Sequence, residues 1–112
     1  MLDAASGNLE IGQYKTSLNR SYYAIFHAMR AANILKGFDS SKHSGVIAFF
    51  NKEYLKENIL DRNLSVIIKN SAFLREKSDY DDFYIASRKE AEKQLKDAQV
   101  FLKAVEKYLD QQ

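Results

Sequence analysis

A chain of 112 residues, 46% hydrophobic and 29% charged, has the length and apolar content of one folded domain, which excludes global disorder and a second core. A net charge of +2 is too small to signal nucleic-acid binding by itself, and the absence of cysteine removes disulfides, thiol nucleophiles and thiolate metal sites. No apolar run approaches the roughly 20 residues of a membrane-spanning helix, and no basic and apolar leader opens the chain, so the expectation is a cytoplasmic protein with no membrane association.

Four glycines and no proline leave few internal breaks, and the apolar spacing is helical almost throughout, which predicts an all-α single domain over residues 1–112. The opening "MLDAASGNLEI" reads as a short helix weakened by Gly7 and Asn8. From Tyr14, the residues Leu18, Tyr22, Ile25, Met29 and Ala32 recur at intervals of three and four, predicting a long amphipathic helix to about Leu35 that Gly37 stops. "FDSSKHSG", residues 38–45, reads as a loop. "VIAFFNKEYL", residues 46–55, reads as a shorter helix with Val46, Phe49 and Phe50 inward and Ser44 as its cap. A fourth helix is predicted from Asn63 or Leu64 to near Lys77, with Leu64, Ile67, Ile68, Ser71, Ala72 and Leu74 on its buried side. The last runs from about Ile85 to Tyr108, with Ala91, Leu95, Ala98, Leu102, Val105 and Leu109 inward, a length of roughly 35 Å. Short connections between such helices favour an up-down antiparallel bundle of four to five helices.

Neither a phosphate-cradling glycine loop, nor a Gly-x-Ser-x-Gly elbow, nor a His-Glu-x-x-His pair occurs in the chain. His27 and His43 fall in different elements, and neither has a second histidine at helical spacing, so no metal and no cofactor are expected. The spacing puts His27 on a helix surface and His43 in a loop. Within "NRSYYAIFHAMRAA", residues 19–32, Asn19, Tyr23, Phe26, His27 and Arg30 form a polar and aromatic face beside the core stripe. Such a face either receives a partner or merely widens the buried stripe. "REKSDYDDFY", residues 75–84, holds three aromatic rings among two basic and four acidic residues, more aromatic character than a connecting loop requires. On one account Phe83 and Tyr84 begin the buried stripe of the last helix, Tyr80 covers the end of the bundle and Asp81 or Asp82 is the N-cap. On the other, the segment lines a site.

These runs, together with "KHSGVIAFFNKEYL" between them and a long closing helix, resemble the HEPN domain family, the higher eukaryotes and prokaryotes nucleotide-binding domain. The likeness covers nearly the whole chain and is nearest the small stand-alone prokaryotic branch, although the first helix is shorter here than is usual in the family. It implies a homodimer with a polar groove at its interface, metal-independent RNA cleavage in active members, and a minimal nucleotidyltransferase as antitoxin partner. The family's signature is an Arg and a His separated by four to six residues. Arg75 stands at the Arg position, but Tyr80, Asp81 and Asp82 stand where the His belongs.

This departure alters the chemistry. Cleavage without metal needs a base for the 2′-hydroxyl proton, an acid for the leaving oxygen and a cation for the charged phosphorane. A tyrosine with an ordinary pKa near 10 is a poor base, and a carboxylate repels the phosphodiester it must approach. The resemblance therefore implies Arg75 and Tyr80 as catalytic candidates, with Arg75 clamping phosphate, and Asn19, Tyr23, Asp79 and Asp82 as the RNA- or nucleotide-binding set. Two alternatives stand beside a toxin-like ribonuclease. One is a non-catalytic nucleotide-binding module or nucleotidyltransferase partner in which Tyr80 accepts a nucleotidyl group; the other is a structural dimerisation domain.

Overall fold

The helical spacing becomes five α-helices in the computed structural model, which describes residues 2–81 and 83–112. They are α1 Asp3–Glu10, α2 Tyr14–Leu35, α3 His43–Phe50, α4 Leu64–Tyr80 and α5 Arg88–Asp110. Together they make an all-α bundle in which α2 is central, packing on each of the others and most extensively on α5. Among the described residues no strand is present, and no helix is long and apolar enough to cross a membrane.

The chain turns corners by one repeated device. At the end of α2 the Phe38 amide reaches the Asn33 carbonyl at 3.1 Å and the Gly37 amide reaches Ile34 at 2.9 Å, a Schellman motif with Gly37 in the left-handed region at φ +79°. The end of α1 repeats it, with the Gln13 amide on Asn8 at 2.7 Å and Gly12 at φ +78°. A third instance uses Asn58, at φ +59°, where the Ile59 amide bonds to the Tyr54 carbonyl at 3.0 Å. Nothing lies within 4 Å of where a Cβ on Gly37 would sit, so Gly37→Ala isolates backbone strain from packing. Its expected cost is about 1–2 kcal/mol, measured by urea denaturation, with no change in helical content.

Three expected boundaries move. The third helix starts at His43, not Val46, because the Val46 amide already closes on the Lys42 carbonyl at 3.1 Å; Ser44 is therefore a helical residue and caps nothing. The loop expected over 38–45 is correspondingly shorter. Beyond Phe50 a π-helical turn, Asn51–Leu55, brings both Tyr54 and Leu55 into the core. Phe49, expected inward, is only half-buried and stacks on Phe38 with ring centres 4.2 Å apart. The fourth helix continues past Lys77 to Tyr80.

The last helix starts at Arg88 instead of Ile85. A reciprocal capping box sets that start: the Ser87 hydroxyl accepts from the Glu90 amide at 3.1 Å while the Glu90 carboxylate accepts from the Ser87 amide at 3.2 Å. Asp81 is thus not the N-cap of α5, and Asp82 lies outside the described residues. Phe83 and Ile85 precede the helix and are 94% and 87% exposed, so neither begins its buried stripe. Tyr84 is half-buried, its hydroxyl donating to Glu90 at 3.0 Å. With 23 residues, α5 spans about 35 Å of a molecule 39 Å long. Its Ala98, Phe101 and Val105 meet Ile25 and Met29 of α2 and Phe50 of α3 in the main core.

Candidate functional site

The buried face of α4 runs Leu64, Ile68, Ser71, Ser78, with a gap after Ser71 that Arg75 fills at helical spacing. An arginine in a core stripe delivers its guanidinium to the inner side of the bundle. There it lies over two tyrosine rings of α2, its Cζ 5.1 Å from the centre of Tyr22 and 5.6 Å from that of Tyr23. Nη2 donates to the Tyr23 hydroxyl at 3.4 Å, and Nε stands 3.4 Å from the Asp79 carboxylate. That last contact lacks hydrogen-bond geometry, so Nε is a buried donor without an acceptor among the described residues.

The facing surface of α2 is set by its periodicity, because Asn19, Tyr22, Tyr23, Phe26 and His27 recur at intervals that place them along one side of the helix. Tyr22 and Phe26 are buried and lie with ring planes 15° apart at 6.4 Å. Tyr23 and Asn19 are half-buried, and the Asn19 Oδ1 is a second buried polar atom with no partner among the described residues. The first residue of α3 completes the cluster: His43 Nδ1 is 2.8 Å from the Tyr22 hydroxyl, and its ring centre is 4.3 Å from Phe26 and 6.0 Å from Tyr23. His27 packs its ring against Phe26 at 5.7 Å and Tyr23 at 6.2 Å.

Electrostatics sort these groups into roles. Burial pushes the Tyr22 phenol above its ordinary pKa, against the opposing pull of the Arg75 guanidinium. Burial, then the positive charge of Arg75 and the neighbouring His27, hold His43 below the ordinary histidine value. At neutral pH the cluster therefore presents the Arg75 cation beside a neutral Tyr22 phenol and a neutral His43 imidazole. Such a set suits an anionic ligand that also carries a hydroxyl, since the cation takes the anion and the imidazole exchanges a proton.

The residues singled out from the sequence separate into two groups. Arg75, Tyr23 and Asp79 meet, and Asn19 lies one turn before Tyr23 on the same face. Tyr80 stands apart from Arg75, about 140° around α4 at 3.6 residues per turn. It is 75% exposed and borders a shallow depression with Phe73, Glu76, Lys77 and Asp81. Phe26 belongs to the core, and Arg30 makes a two-pronged ion pair with Asp39 at 2.5 and 3.0 Å, so neither faces a ligand. Two members of the cluster escape sequence reading. Tyr22 sits in the apolar stripe and reads as core; His43 sits 21 residues from it along the chain. The available signal was Arg75 itself, a charge in the stripe between Ser71 and Ser78.

Comparison with known proteins gives consistent relatives. The HEPN domain model matches residues 1–108. The chain is 36% identical over 106 residues to "Putative toxin MJ0142" of Methanocaldococcus jannaschii, covering 94% of this chain and 72% of that protein. It is also similar to UPF0332 proteins of Thermotoga maritima, 31% identical over 109 residues with 97% and 83% covered, and of Archaeoglobus fulgidus, 34% over 103 residues with 91% and 81% covered.

Proposed function

The chain belongs to the HEPN domain family, and from that membership and the setting of Arg75 we propose that it is a toxin-like, dimeric, metal-independent ribonuclease whose Arg75 grips the scissile phosphodiester. The observation that carries this reading is the buried Nε of Arg75, a donor whose guanidinium lies over two tyrosine rings and which has no acceptor among the described residues. A phosphate oxygen satisfies that donor and places negative charge against the cation where the phosphorane develops. Tyr23 offers a ring for a base to stack on, Asn19 an acceptor for a nucleotide N–H, and Asp79 holds the guanidinium in orientation.

The test is RNA cleavage in the presence of EDTA by the wild type and by Arg75→Ala at matched concentration. Cleavage by Arg75→Ala about 100-fold or more below the wild type supports the reading; cleavage within about tenfold of wild type overturns it.

Support for a dimer comes from the outer side of α4, where Val66, Phe73 and Tyr80 follow one another at seven-residue intervals and are 54%, 58% and 75% exposed. An exposed apolar row of this kind suits a second copy of the same helix. Phe73→Glu is expected to convert a dimer to a monomer in sedimentation velocity while its circular dichroism is unchanged. A wild type that sediments as a monomer at micromolar concentration contradicts the dimer.

A second reading, in which the Tyr80 end of α4 stays uncovered by a second copy, rests on Tyr80. Its exposed hydroxyl at the end of α4 suits transfer of a nucleotidyl group by a minimal nucleotidyltransferase partner, which would silence the toxin. Mass spectrometry after incubation with such an enzyme and ATP tests it: a nucleotidyl adduct on Tyr80 is expected, and an unmodified chain argues against it.

A further inference from the structure

Arg75 provides a cation but no proton acceptor, and among the described residues the segment after it provides none on the same face. Tyr80 lies around the helix, and Asp79 is committed to the guanidinium. An imidazole that shares its ring neighbours with Arg75 comes instead from the start of α3. His43 and Arg75 flank the same two rings: Tyr22 is 5.6 Å from the imidazole and 5.1 Å from the guanidinium, and Tyr23 is 6.0 Å and 5.6 Å from them. Half-buried His43 uses Nδ1 for the Tyr22 hydroxyl at 2.8 Å, which leaves Nε2 for a ligand.

We propose that His43 is the proton acceptor of this centre, taking the 2′-hydroxyl proton of an RNA strand whose adjacent phosphate lies on Arg75, with Tyr22 as the residue that positions it. The proposal rests on the ribonuclease reading above. With Nδ1–H donating to the Tyr22 oxygen, Nε2 carries the lone pair. The 2′-oxygen forms a bond to phosphorus as its proton passes to Nε2, and the bond from phosphorus to the 5′-oxygen breaks. That oxygen takes a proton from water. The products are a 2′,3′-cyclic phosphate and a free 5′-hydroxyl, and the imidazolium then loses its proton to solvent. A buried, neutral Tyr22 is the right partner, because a phenolate would hold the imidazolium and slow its return to the base form.

The decisive variant is His43→Asn, whose side-chain amide reaches the Nδ1 position and so keeps a partner for Tyr22, but has no atom that takes a proton. Cleavage of a single-stranded RNA in EDTA is expected to fall by about 100-fold or more, the usual range for loss of a general base. Affinity for the same RNA with 2′-O-methyl groups, which cannot be cleaved, is expected to stay within about threefold of wild type, because Arg75 is untouched. The charged and titratable groups facing His43 are Tyr22, Tyr23 and His27 of α2 and Arg75 of α4. Tyr22→Phe keeps the ring stack and removes the hydroxyl, so it is expected to lower kcat by about tenfold or more, leave KM unchanged and shift the acidic limb of the pH profile. A His43→Asn protein that cleaves within threefold of wild type overturns the inference while leaving the Arg75 reading standing. Wild type that binds RNA without cleaving it overturns both the inference and the ribonuclease reading. Should His43→Asn not fold, a Tyr22→Phe protein with an unshifted pH profile overturns the inference by itself.

Discussion

Replacing Phe101 by alanine is expected to destabilise the bundle by about 3–5 kcal/mol, the range for truncating a large aromatic in a close-packed core. Phe101 is fully buried in the middle of α5, and its ring lies 5.6 Å from that of Phe50 across the α3–α5 contact. Phe50 in turn touches Tyr54, whose hydroxyl donates to the Ala32 carbonyl of α2, so the void would open where three helices meet. Against a domain stability of about 5–15 kcal/mol the change is large, and the urea midpoint is its measure. Leu102→Ala is the control. The two residues are neighbours in sequence, but Leu102 is only half-buried, and its truncation should cost less than half as much. A larger loss at Leu102 than at Phe101 would mean that α5 is rotated from its observed position.

The second large effect is on chemistry. Arg75→Ala should reduce RNA cleavage by about 10²–10³-fold, the scale on which removing one charge-stabilising donor acts in a water-poor site. Fold stability should change little by comparison, since truncation removes a buried donor that has no acceptor among the described residues and leaves the Asp79 carboxylate, whose side chain is 30% exposed, to water. Arg75→Lys separates charge from shape. A lysine restores a positive charge but not the planar fork that lies over Tyr22 and Tyr23 and bonds the Tyr23 hydroxyl, so only partial recovery is expected. Full recovery would show that charge alone suffices; its absence, with folding intact, would assign the function to the stacked fork.

Much of the fold is legible in the spacing of apolar residues. The second helix occupies Tyr14–Leu35 as its three-four pattern predicts, and Gly37 stops it in the left-handed conformation. Legibility fails where two local signals compete. At residues 83–88 the aromatic pattern suggests an early start to the last helix, but the Ser87 and Glu90 capping box begins it at Arg88 and leaves Phe83 in solvent. In α5 the apolar stripe contains Leu102 but passes over Phe101, because the angle at which α5 rests on α2 and α3 decides which neighbour points inward.

The candidate site divides along the same line. Arg75, Tyr23, Asp79 and Asn19 were nameable from sequence and family resemblance, whereas His43 and Tyr22 became site residues only when α3 met α2. The sequence by itself determined the all-α class, the extent of the second helix and its stop, since these depend on periodicity and capping within one stretch of chain. Only the tertiary structure decided that an imidazole from the start of α3 and a guanidinium from the end of α4 share the rings of Tyr22 and Tyr23. The physical reason is that helical periodicity fixes the direction of a side chain about its own axis and carries no information on which other helix that direction meets.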